Sequence, residues 1–351
     1  MQVAAIIPFR GDPTILTWVL DGFLQQQLAP GTQLTIYLGA DGCPLPPIPD
    51  SPSSNIRLDA RELPRLGNAA GKNLLLDVCG PDTDIILFAN ADTRPDPQCV
   101  QRHIDHLQTL PPGSLVLGAA PFDDTPTSPT VFDLLKSVTP MIFFYCLMAP
   151  GQWYDFRHTW TLNLSIRRAD LDSLSGGGAG GAFSSQIFPF YEDLDLGFRL
   201  MGQTGKKIYY DDQAIVRHRH PMTLESYLDR EEMLGLIMPV VYVHNRPMFA
   251  ALMGTDDLEH LTARFHTWVE MDRPTQQWVW TRLQEWVTQP ATVLGSDPQR
   301  LLNTLYQMHI PLKRLAFRLG FLRGLDLVPD SRKLERTPSG LWRKALELKG
   351  P

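Results

Sequence analysis

Short, continuously apolar runs alternate with helical patterns along the first half of the chain. The apolar runs predict strands over residues 3–8, 33–38, 55–58 and 84–89. The patterns between them predict helices over residues 13–27 and 67–78. Buried strands that alternate with helices are typical of a largely parallel sheet covered by helices. The pattern therefore predicts an α/β fold, whose ligands bind beyond the carboxyl ends of the strands.

Polar and acidic residues follow three of the predicted strands. Arg10 follows the first strand, Asp41 the second, and Asn90 and Asp92 the fourth. Carboxylates that converge on one sheet edge repel each other unless a cation lies among them. Because period-two spacing directs Asn90 and Asp92 the same way, this pair favours a ligand or metal site. Asp41, which precedes Gly42, is more typical of a turn.

Residues 188–221 hold the densest set of chemically active side chains. Glu192, Asp193 and Asp195 open a predicted helix, where the helix N-terminus stabilises negative charge. The i, i+4 spacing of Asp195 and Arg199 predicts a structural ion pair.

His218 and His220 end a predicted strand that follows this helix. A lone histidine is usually a structural residue. A His-x-His at a strand end, in a chain that already offers Asn90 and Asp92, is instead typical of a metal site.

From about residue 221 the pattern becomes helical, with Thr223 as a predicted N-cap. The amphipathic segments that follow are rich in Trp and Leu. We therefore expect an α/β domain over residues 1–221 and a helical C-terminal region over residues 222–351.

The end of the helical region is basic, since residues 311–351 hold 10 Lys and Arg against 4 Asp and Glu. A basic amphipathic segment of this kind suits peripheral contact with an anionic membrane surface. It suits an ordinary solvated helix face equally well.

The composition excludes several classes of protein. The chain has 351 residues, of which 43% are hydrophobic and 20% charged, which predicts a packed core and excludes general disorder. A net charge of −6 argues against generic nucleic-acid binding.

Cysteine spacing and hydropathy bear on the cellular compartment. The four cysteines are far apart and form no C-x-x-C pair, so we interpret them as buried thiols of a reducing compartment. A strand pattern that begins almost at Met1 leaves no room for a signal peptide, and the apolar stretches are too short to span a bilayer. We therefore expect a soluble, cytoplasmic protein, with peripheral contact at the inner membrane face as an extension of that expectation.

Seven short motifs, in order over roughly residues 1–245, resemble those of the family 2 glycosyltransferases. These are inverting enzymes of the GT-A type that use nucleotide-diphosphate sugars. The motifs are IIPFRGDP, LGADGC, RLGNAAGKN, FANADTRPDP, TLNLSIRR, EDLDLGFRL and AIVRHRH. The resemblance implies a GT-A fold, with a mostly parallel central sheet flanked by helices and a helical C-terminal segment. It also implies a donor of the UDP, GDP or dTDP type.

The resemblance implies a role for each acidic and histidine motif. Asp92 would hold a divalent ion, Mn²⁺ or Mg²⁺, with His218 or His220 as a further ligand. Asp193 would be the general base that deprotonates the acceptor hydroxyl, and Glu192 would orient the acceptor or the base.

The same resemblance assigns residues to the donor and acceptor sides. Asp41 would contact the base or ribose, and Arg65 or Lys72 the nucleotide. The donor side as a whole comprises Pro8, Arg10, Asp41, Arg65, Lys72, Asn90 and Ala91.

The acceptor, a hydroxyl of a glycan or of a lipid-linked or other molecule, would lie near Trp153, Trp160 and Asn163. Core packing is the commoner role of a tryptophan. Residues 175–181, SGGGAGG, lack the strand-turn-helix context of a phosphate loop, and we interpret them as an acceptor-side loop.

One position departs from the family pattern. Asn90 stands where the family has the first Asp of its metal site, so one negative charge is lost. This substitution supports an alternative, a catalytically weak or inactive GT-A fold that binds nucleotide or glycan.

Two other nucleotide-dependent classes are excluded by their own motifs. A dinucleotide-dependent oxidoreductase needs G-x-G-x-x-G after the first strand, where this chain has Gly11-Asp12-Pro13. A P-loop protein needs Ser or Thr where this chain has Asn73.

Overall fold

The computed structural model describes residues 1–51, 53–123, 128–174, 181–187, 189–204, 207–328 and 339–347. The chain divides into two compact units. The first comprises Met1–Asp124 and Leu147–His220, and the second comprises Thr125–Cys146 and Pro221–Pro351. The second unit therefore takes in a short segment from the first half of the sequence, in addition to the C-terminal region.

The first unit is built around a sheet. Its strands are β1 (Gln2–Phe9), β2 (Gln33–Asp41), β3 (Ile56–Leu63), β4 (Ile85–Ala89), β5 (Thr93–Pro95), β6 (Leu115–Gly118), β7 (Trp153–Tyr154), β8 (Asn163–Arg167), β9 (Ile208–Asp211) and β10 (Val216–His218). Its helices are α1 (Pro13–Leu24), α2 (Asn68–Val78), α3 (Cys99–Thr109), α5 (Arg168–Asp172) and α6 (Glu192–Thr204).

Among the described residues, eight strands form one sheet in the order β3-β2-β1-β4-β8-β6-β9-β7, and β5 pairs with β10 separately. Strands β3, β2, β1 and β4 are parallel, whereas β8 runs antiparallel between β4 and β6, and β7 runs antiparallel to β9. The predicted α/β class, a mostly parallel sheet flanked by helices and followed by a helical C-terminal segment, is confirmed.

The continuous apolarity of β1 and β4 reflects burial on both faces of the sheet. Every residue of β4 is buried, and β1 and β2 contribute to one core cluster with α1 and α3. Asp12 begins α1 by accepting a hydrogen bond of 2.7 Å from the Thr14 amide, and Pro13 occupies the first helical turn. Because β1, β2 and β4 are parallel, the polar loops that follow them lie at one edge of the sheet.

The second unit is helical. Its helices are α4 (Val131–Val138), α7 (Leu224–His244), α8 (Arg246–Met253), α9 (Leu258–Val287), α10 (Pro298–Leu327) and α11 (Leu341–Glu347). The predicted N-cap of α7 is confirmed, because the Thr223 hydroxyl accepts a hydrogen bond from the Ser226 amide. No helix of the described residues is both long and apolar enough to cross a membrane.

Helices α7 and α10 approach each other closely because glycines lie at their crossing. A Cβ atom at Gly235 would overlap the carbonyl of Phe317, and a Cβ atom at Gly320 would overlap the carbonyl of Glu232. The two backbones therefore lie in direct contact where these glycines meet them.

The expectation that all four cysteines are buried is wrong in part. Cys79 and Cys99 are buried in the first unit, Cys43 is half-buried, and Cys146 is exposed on the second unit. All four are free thiols.

We expect Gly320→Ala to lower the free energy of unfolding by about 2 kcal/mol, because the added methyl group meets a backbone carbonyl that cannot move independently. Chemical denaturation followed by circular dichroism measures this loss. Gly71→Ala in α2 is the matched control, since its Cβ would make only ordinary contacts, the nearest at 3.7 Å from Pro8. The control should change stability by less than about 1 kcal/mol, toward stabilisation. Equal effects at the two positions would contradict this view of the helix crossing.

Candidate functional site

Asp92, His218 and His220 come together at the edge of the first unit. The nearest Asp92 oxygen, Oδ2, lies 3.4 Å from His218 Nε2 and 3.2 Å from His220 Nδ1. One ligand atom from each of the three residues lies within 4.8 Å of the others. The two histidines predicted from their spacing therefore meet the predicted carboxylate.

The ladder between β5 and β10 produces this convergence. His218 pairs with Thr93 in an antiparallel register, and the Arg219 amide donates a 2.8 Å hydrogen bond to the carbonyl of Asp92. The ring of Phe122 stacks on His218 at 5.0 Å between centroids. Backbone pairing and ring stacking together hold His218 beside the Asp92 loop.

The chemistry of these three residues fits a divalent transition metal. One carboxylate and two imidazoles form a mixed oxygen and nitrogen ligand set, which suits Mn²⁺ better than the all-oxygen preference of Mg²⁺. Asp92 Oδ1 is buried and has no hydrogen-bond partner among the described residues. A buried acceptor without a donor is costly to leave unpaired, so a bound cation would satisfy it.

The electrostatics of Asp92 agree with this arrangement. Burial by itself raises the pKa of Asp92, but hydrogen bonds from His218 and His220 outweigh burial and hold that pKa far below its ordinary value. Asp92 is therefore ionised at neutral pH, as a metal ligand must be.

A second cluster surrounds Asp193, the first-turn residue of α6. Its Oδ2 accepts a 2.6 Å hydrogen bond from the Thr161 hydroxyl and a 3.2 Å bond from the Thr161 amide. Its Oδ1 lies 3.2 Å from the Lys72 ammonium, and Lys72 also donates to Thr161. The Asp193 side chain keeps 23% of its surface exposed. Lys72 and Thr161 therefore hold the carboxylate from its buried side, while part of the side chain is exposed to solvent.

The two clusters belong to the same edge of the sheet. The hydroxyl of Thr93, next to Asp92, donates a 3.2 Å hydrogen bond to the carbonyl of Leu162. Leu162 is the neighbour of Thr161, which binds Asp193. A continuous path of hydrogen bonds and peptide bonds therefore joins the cluster of Asp92, His218 and His220, here called the metal-type cluster, to the Asp193 cluster.

Glu192 differs sharply from its neighbour Asp193. It is 4% exposed, and its Oε2 atom has no hydrogen-bond partner among the described residues. Burial, followed by the negative charge of Asp193, raises the pKa of Glu192 to about 8. A buried carboxyl group with a raised pKa beside a second carboxyl group is typical of acid–base sites.

Phe190 adds backbone strain just before these carboxyl groups. Its φ is 87°, and no other non-glycine residue of the described chain has a positive φ. A bulky residue in this region is strained, and such strain concentrates at functional sites. Sequence patterns carry no signal for it.

Asp41, which is predicted to contact the nucleotide, ends β2. It is buried, and its carboxylate accepts a 2.5 Å hydrogen bond from the Leu66 amide and 3.1 Å bonds from the Gly67 amide. Because these amides lie 25 and 26 residues further along the chain, the carboxylate holds the loop that precedes α2 and does not form the local turn that the sequence predicts.

The other residues predicted on the donor side fall into two groups. Lys72 is fully buried under Asp193, so its ammonium meets the proposed base and does not reach a surface. The others are exposed or half-buried at the carboxyl ends of strands: Pro8 near the end of β1, Arg10 after β1, Arg65 after β3, and Asn90 and Ala91 after β4.

Asn163, predicted on the acceptor side, instead lies inside the sheet. It is 1% exposed, its amide donates to the carbonyls of Ala119 and Ala214, and its carbonyl accepts from His103. All of its polar atoms are used within the fold, so it offers nothing to an acceptor. Its neighbour along the same motif, Thr161, contacts the proposed base instead.

The two predicted tryptophans differ in exposure. Trp153 is 40% exposed and lies edge-on to Tyr209 at 5.3 Å, whereas Trp160 is half-buried near His158. The predicted acceptor-side loop, 175–181, lies outside the described residues apart from Gly181.

Comparison with known proteins yields structural neighbours only. No family model matches the sequence, and no curated protein matches it significantly. S. aureus TarS superposes with a TM-score of 0.44 and 14% identity over 90% of this chain and 55% of that chain. S. aureus TarS 1–349 in complex with UDP-GlcNAc superposes with a TM-score of 0.41 and 13% identity, over 92% of this chain and 90% of that chain. GalNAc-T7 with UDP, GalNAc and Mn²⁺ superposes with a TM-score of 0.42 and 10% identity, over 66% of this chain and 48% of that chain.

This chain thus spans about half the length of the longer TarS structure and of GalNAc-T7. With TM-scores below 0.5, these superpositions do not establish the function of this chain, which we therefore infer from its own residues.

We expect Glu192→Gln to stabilise the protein at pH 8 but not at pH 4.5. A carboxyl group whose pKa is raised by folding binds more protons in the folded state than in the unfolded state between these pH values. The wild type therefore loses stability as pH rises through that window, and the variant lacks this loss. The difference in unfolding free energy at pH 8 should exceed about 1 kcal/mol. A difference that does not vary with pH, measured by denaturation at both values, would show that Glu192 titrates normally.

Proposed function

We propose that this protein is a metal-assisted, inverting glycosyltransferase of the GT-A type. It transfers a sugar from a nucleoside diphosphate donor of the UDP, GDP or dTDP type to a hydroxyl group of a glycan, lipid-linked or other acceptor. The observation that carries the proposal is the presence, at one edge of a mostly parallel sheet, of a metal-type cluster and a separately held carboxylate. The order of the sequence motifs supports the same chemistry.

Asp193 acts as the general base in this proposal. Its carboxylate accepts the proton of the acceptor hydroxyl while the oxygen attacks the anomeric carbon from the side opposite the diphosphate. The bond between the anomeric carbon and the diphosphate oxygen breaks, and its electron pair leaves with the nucleoside diphosphate. Attack from the opposite side inverts the anomeric configuration.

Lys72 and Thr161 position the base. Both contact the Asp193 carboxylate from the buried side, so its exposed face remains directed toward the acceptor. Glu192, buried in its raised-pKa state, supplies a neutral carboxyl group beside the base. A neutral Glu192 adds no second negative charge next to the base.

Asp92, His218 and His220 hold the divalent ion in this proposal. When bound, such an ion neutralises the charge that develops on the leaving diphosphate. Mn²⁺ is preferred over Mg²⁺ because two of the three ligands are imidazoles. The donor-side contacts in this proposal are Pro8, Arg10, Arg65, Asn90 and Ala91.

The second candidate is a fold that binds nucleotide without turnover. Asn90 favours it, because an amide provides less charge to a metal site than a carboxylate. The ionised Asp92, both histidines and the ordered Asp193 favour an active enzyme. Contact of the basic region 311–351 with a membrane, a cytoplasmic location and the division of the chain at residue 221 stay predictions.

We expect one nucleotide among UDP, GDP, dTDP and CDP to bind with Mn²⁺ and to lose most of its affinity in EDTA. Asp92→Ala should weaken this metal-dependent binding at least about 100-fold, because even outer-shell partners of metal ligands contribute 10- to 100-fold. Isothermal titration calorimetry gives both values.

The control is Asp96→Ala, which removes a nearby carboxylate that pairs with Arg217 at 3.0 Å outside the cluster. It should leave nucleotide binding unchanged. Binding that is equal with metal and with EDTA would reject the metal role of Asp92, and no binding of any nucleotide would reject the donor site.

We expect Asp193→Asn to lower the rate of transfer by about 10²–10⁴-fold, the usual contribution of a general base. Nucleotide affinity should stay nearly unchanged, because Asp193 faces the acceptor. Transfer is measured with the donor selected by calorimetry. Wild-type turnover in this variant would reject the assignment of the base, whereas bound nucleotide without turnover in the wild type would support the second candidate.

A further inference from the structure

The helical unit contains a cavity of about 210 Å³ that plays no part in the proposed transfer chemistry. Helices α7, α9 and α10 line it. The lining residues are Glu231, Phe265, Trp268, Lys313, Arg314, Phe317 and Arg318. A concave site that combines aromatic rings with a few charged groups has the features of a ligand-binding pocket.

Positive charge predominates in the lining. Lys313, Arg314 and Arg318 contribute three cations from consecutive turns of α10, against the single carboxylate of Glu231. Arg314 and Arg318 are spaced i, i+4, so their guanidinium groups lie on the same helix face. Like charges at this spacing repel each other, and an anion between them would relieve the repulsion.

Ion pairs with carboxylates account for two of these three cations. Arg318 is 9% exposed and donates a 2.9 Å hydrogen bond to Asp272, and Lys313 lies 3.9 Å from the buried Glu231. Among the described residues, Arg314 has no carboxylate within ion-pair distance. Burial lowers the pKa of Arg318, and the charge of Arg314 lowers it further, while Asp272 opposes both effects. The exposed guanidinium group of Arg314 is therefore available to an anion beside the buried guanidinium group of Arg318.

Aromatic rings provide the remaining surface. The Arg318 guanidinium lies 4.5 Å from the ring centre of Trp268, and Arg264 lies 4.3 Å from the same ring. Cations over an aromatic ring are stabilised by its π-electrons and are held in a fixed orientation. The Trp268 ring therefore fixes the plane of the Arg318 guanidinium, which leaves less rotational freedom to lose on binding an anion.

We propose that this cavity binds a phosphate group, as the phosphomonoester of a small molecule or of a lipid headgroup. Paired guanidinium groups match the geometry of phosphate oxygens, and Lys313 adds a third donor. The cavity volume is below that of typical drug-sized sites, so it suits a headgroup or a single phosphorylated ring. This site lies wholly within the helical unit and does not depend on the proposed transfer reaction.

The test uses the full chain in EDTA, so that metal-dependent nucleotide binding does not contribute. Inorganic phosphate and glucose 6-phosphate are the soluble probes, with glucose as the uncharged comparison, and binding is measured by calorimetry. Phosphatidylcholine vesicles with and without phosphatidic acid are the lipid probes, and binding is measured by flotation. Arg314→Gln is the test variant, because this exposed side chain has no ion-pair partner in the described part of the chain.

Arg300→Gln is the matched control, since it removes one exposed arginine from the first turns of the same helix and outside the cavity. We expect Arg314→Gln to weaken phosphate binding about tenfold, the usual effect of losing a hydrogen bond to a charged group. The control should bind as the wild type does.

The probes distinguish the source of the phosphate. Saturable binding of a soluble phosphate that Arg314→Gln weakens supports a small-molecule ligand. Binding only to vesicles that contain phosphatidic acid, weakened by the same variant, supports a lipid headgroup. Binding of neither class, or equal effects of Arg314→Gln and Arg300→Gln, would overturn the proposal. Unchanged nucleotide binding by Arg314→Gln with Mn²⁺ keeps this result separate from the donor site.

Discussion

The ladder between β5 and β10 is the contact on which the candidate site depends. It pairs His218 with Thr93 and so brings two histidines to a carboxylate that is 128 residues from His220 in sequence. The three side chains are short and have little reach of their own. A shift of one residue in this register would direct His218 to the opposite face of the ladder. The site is therefore set by backbone pairing, and ring stacking by Phe122 reinforces it.

The second constraint is a buried cation behind the proposed base. Lys72 is fully buried, and a buried ammonium is tolerated only when it is paired and hydrogen-bonded. Thr161 and Asp193 provide both interactions. Burial and the neighbouring charge of Asp193 raise the pKa of Glu192 to about 8, and the charge of Lys72 only partly opposes them. Burial therefore distinguishes Glu192 from Asp193, which keeps part of its side chain exposed and is paired with Lys72.

The helical unit is organised by different forces. Glycines allow α7 and α10 to approach at backbone distance, and the capping box at Thr223 fixes where α7 begins. Glu232, buried in α7, accepts hydrogen bonds from the amide and hydroxyl of Ser339 and the amide of Leu341, and so fixes the start of α11. In this packing, Lys313, Arg314 and Arg318 of α10 line the cavity. Its charge was visible in the sequence, but the aromatic rings that enclose it come from another helix.

The sequence by itself determined the class of fold and the chemical groups available to it. Continuous apolar runs can be satisfied only by burial on both faces of a sheet, which is why β1, β2 and β4 were predictable. Spacing along one element also predicted the Asp195–Arg199 pair, which is observed at 2.7 Å. Only the tertiary structure decided which groups meet. It directed Asn163 inward to the sheet, Lys72 to Asp193 and Asp41 to a loop, because these contacts join strands and helices distant in the chain. Local pattern fixes what an element buries on its own, whereas partners between elements depend on how those elements pack.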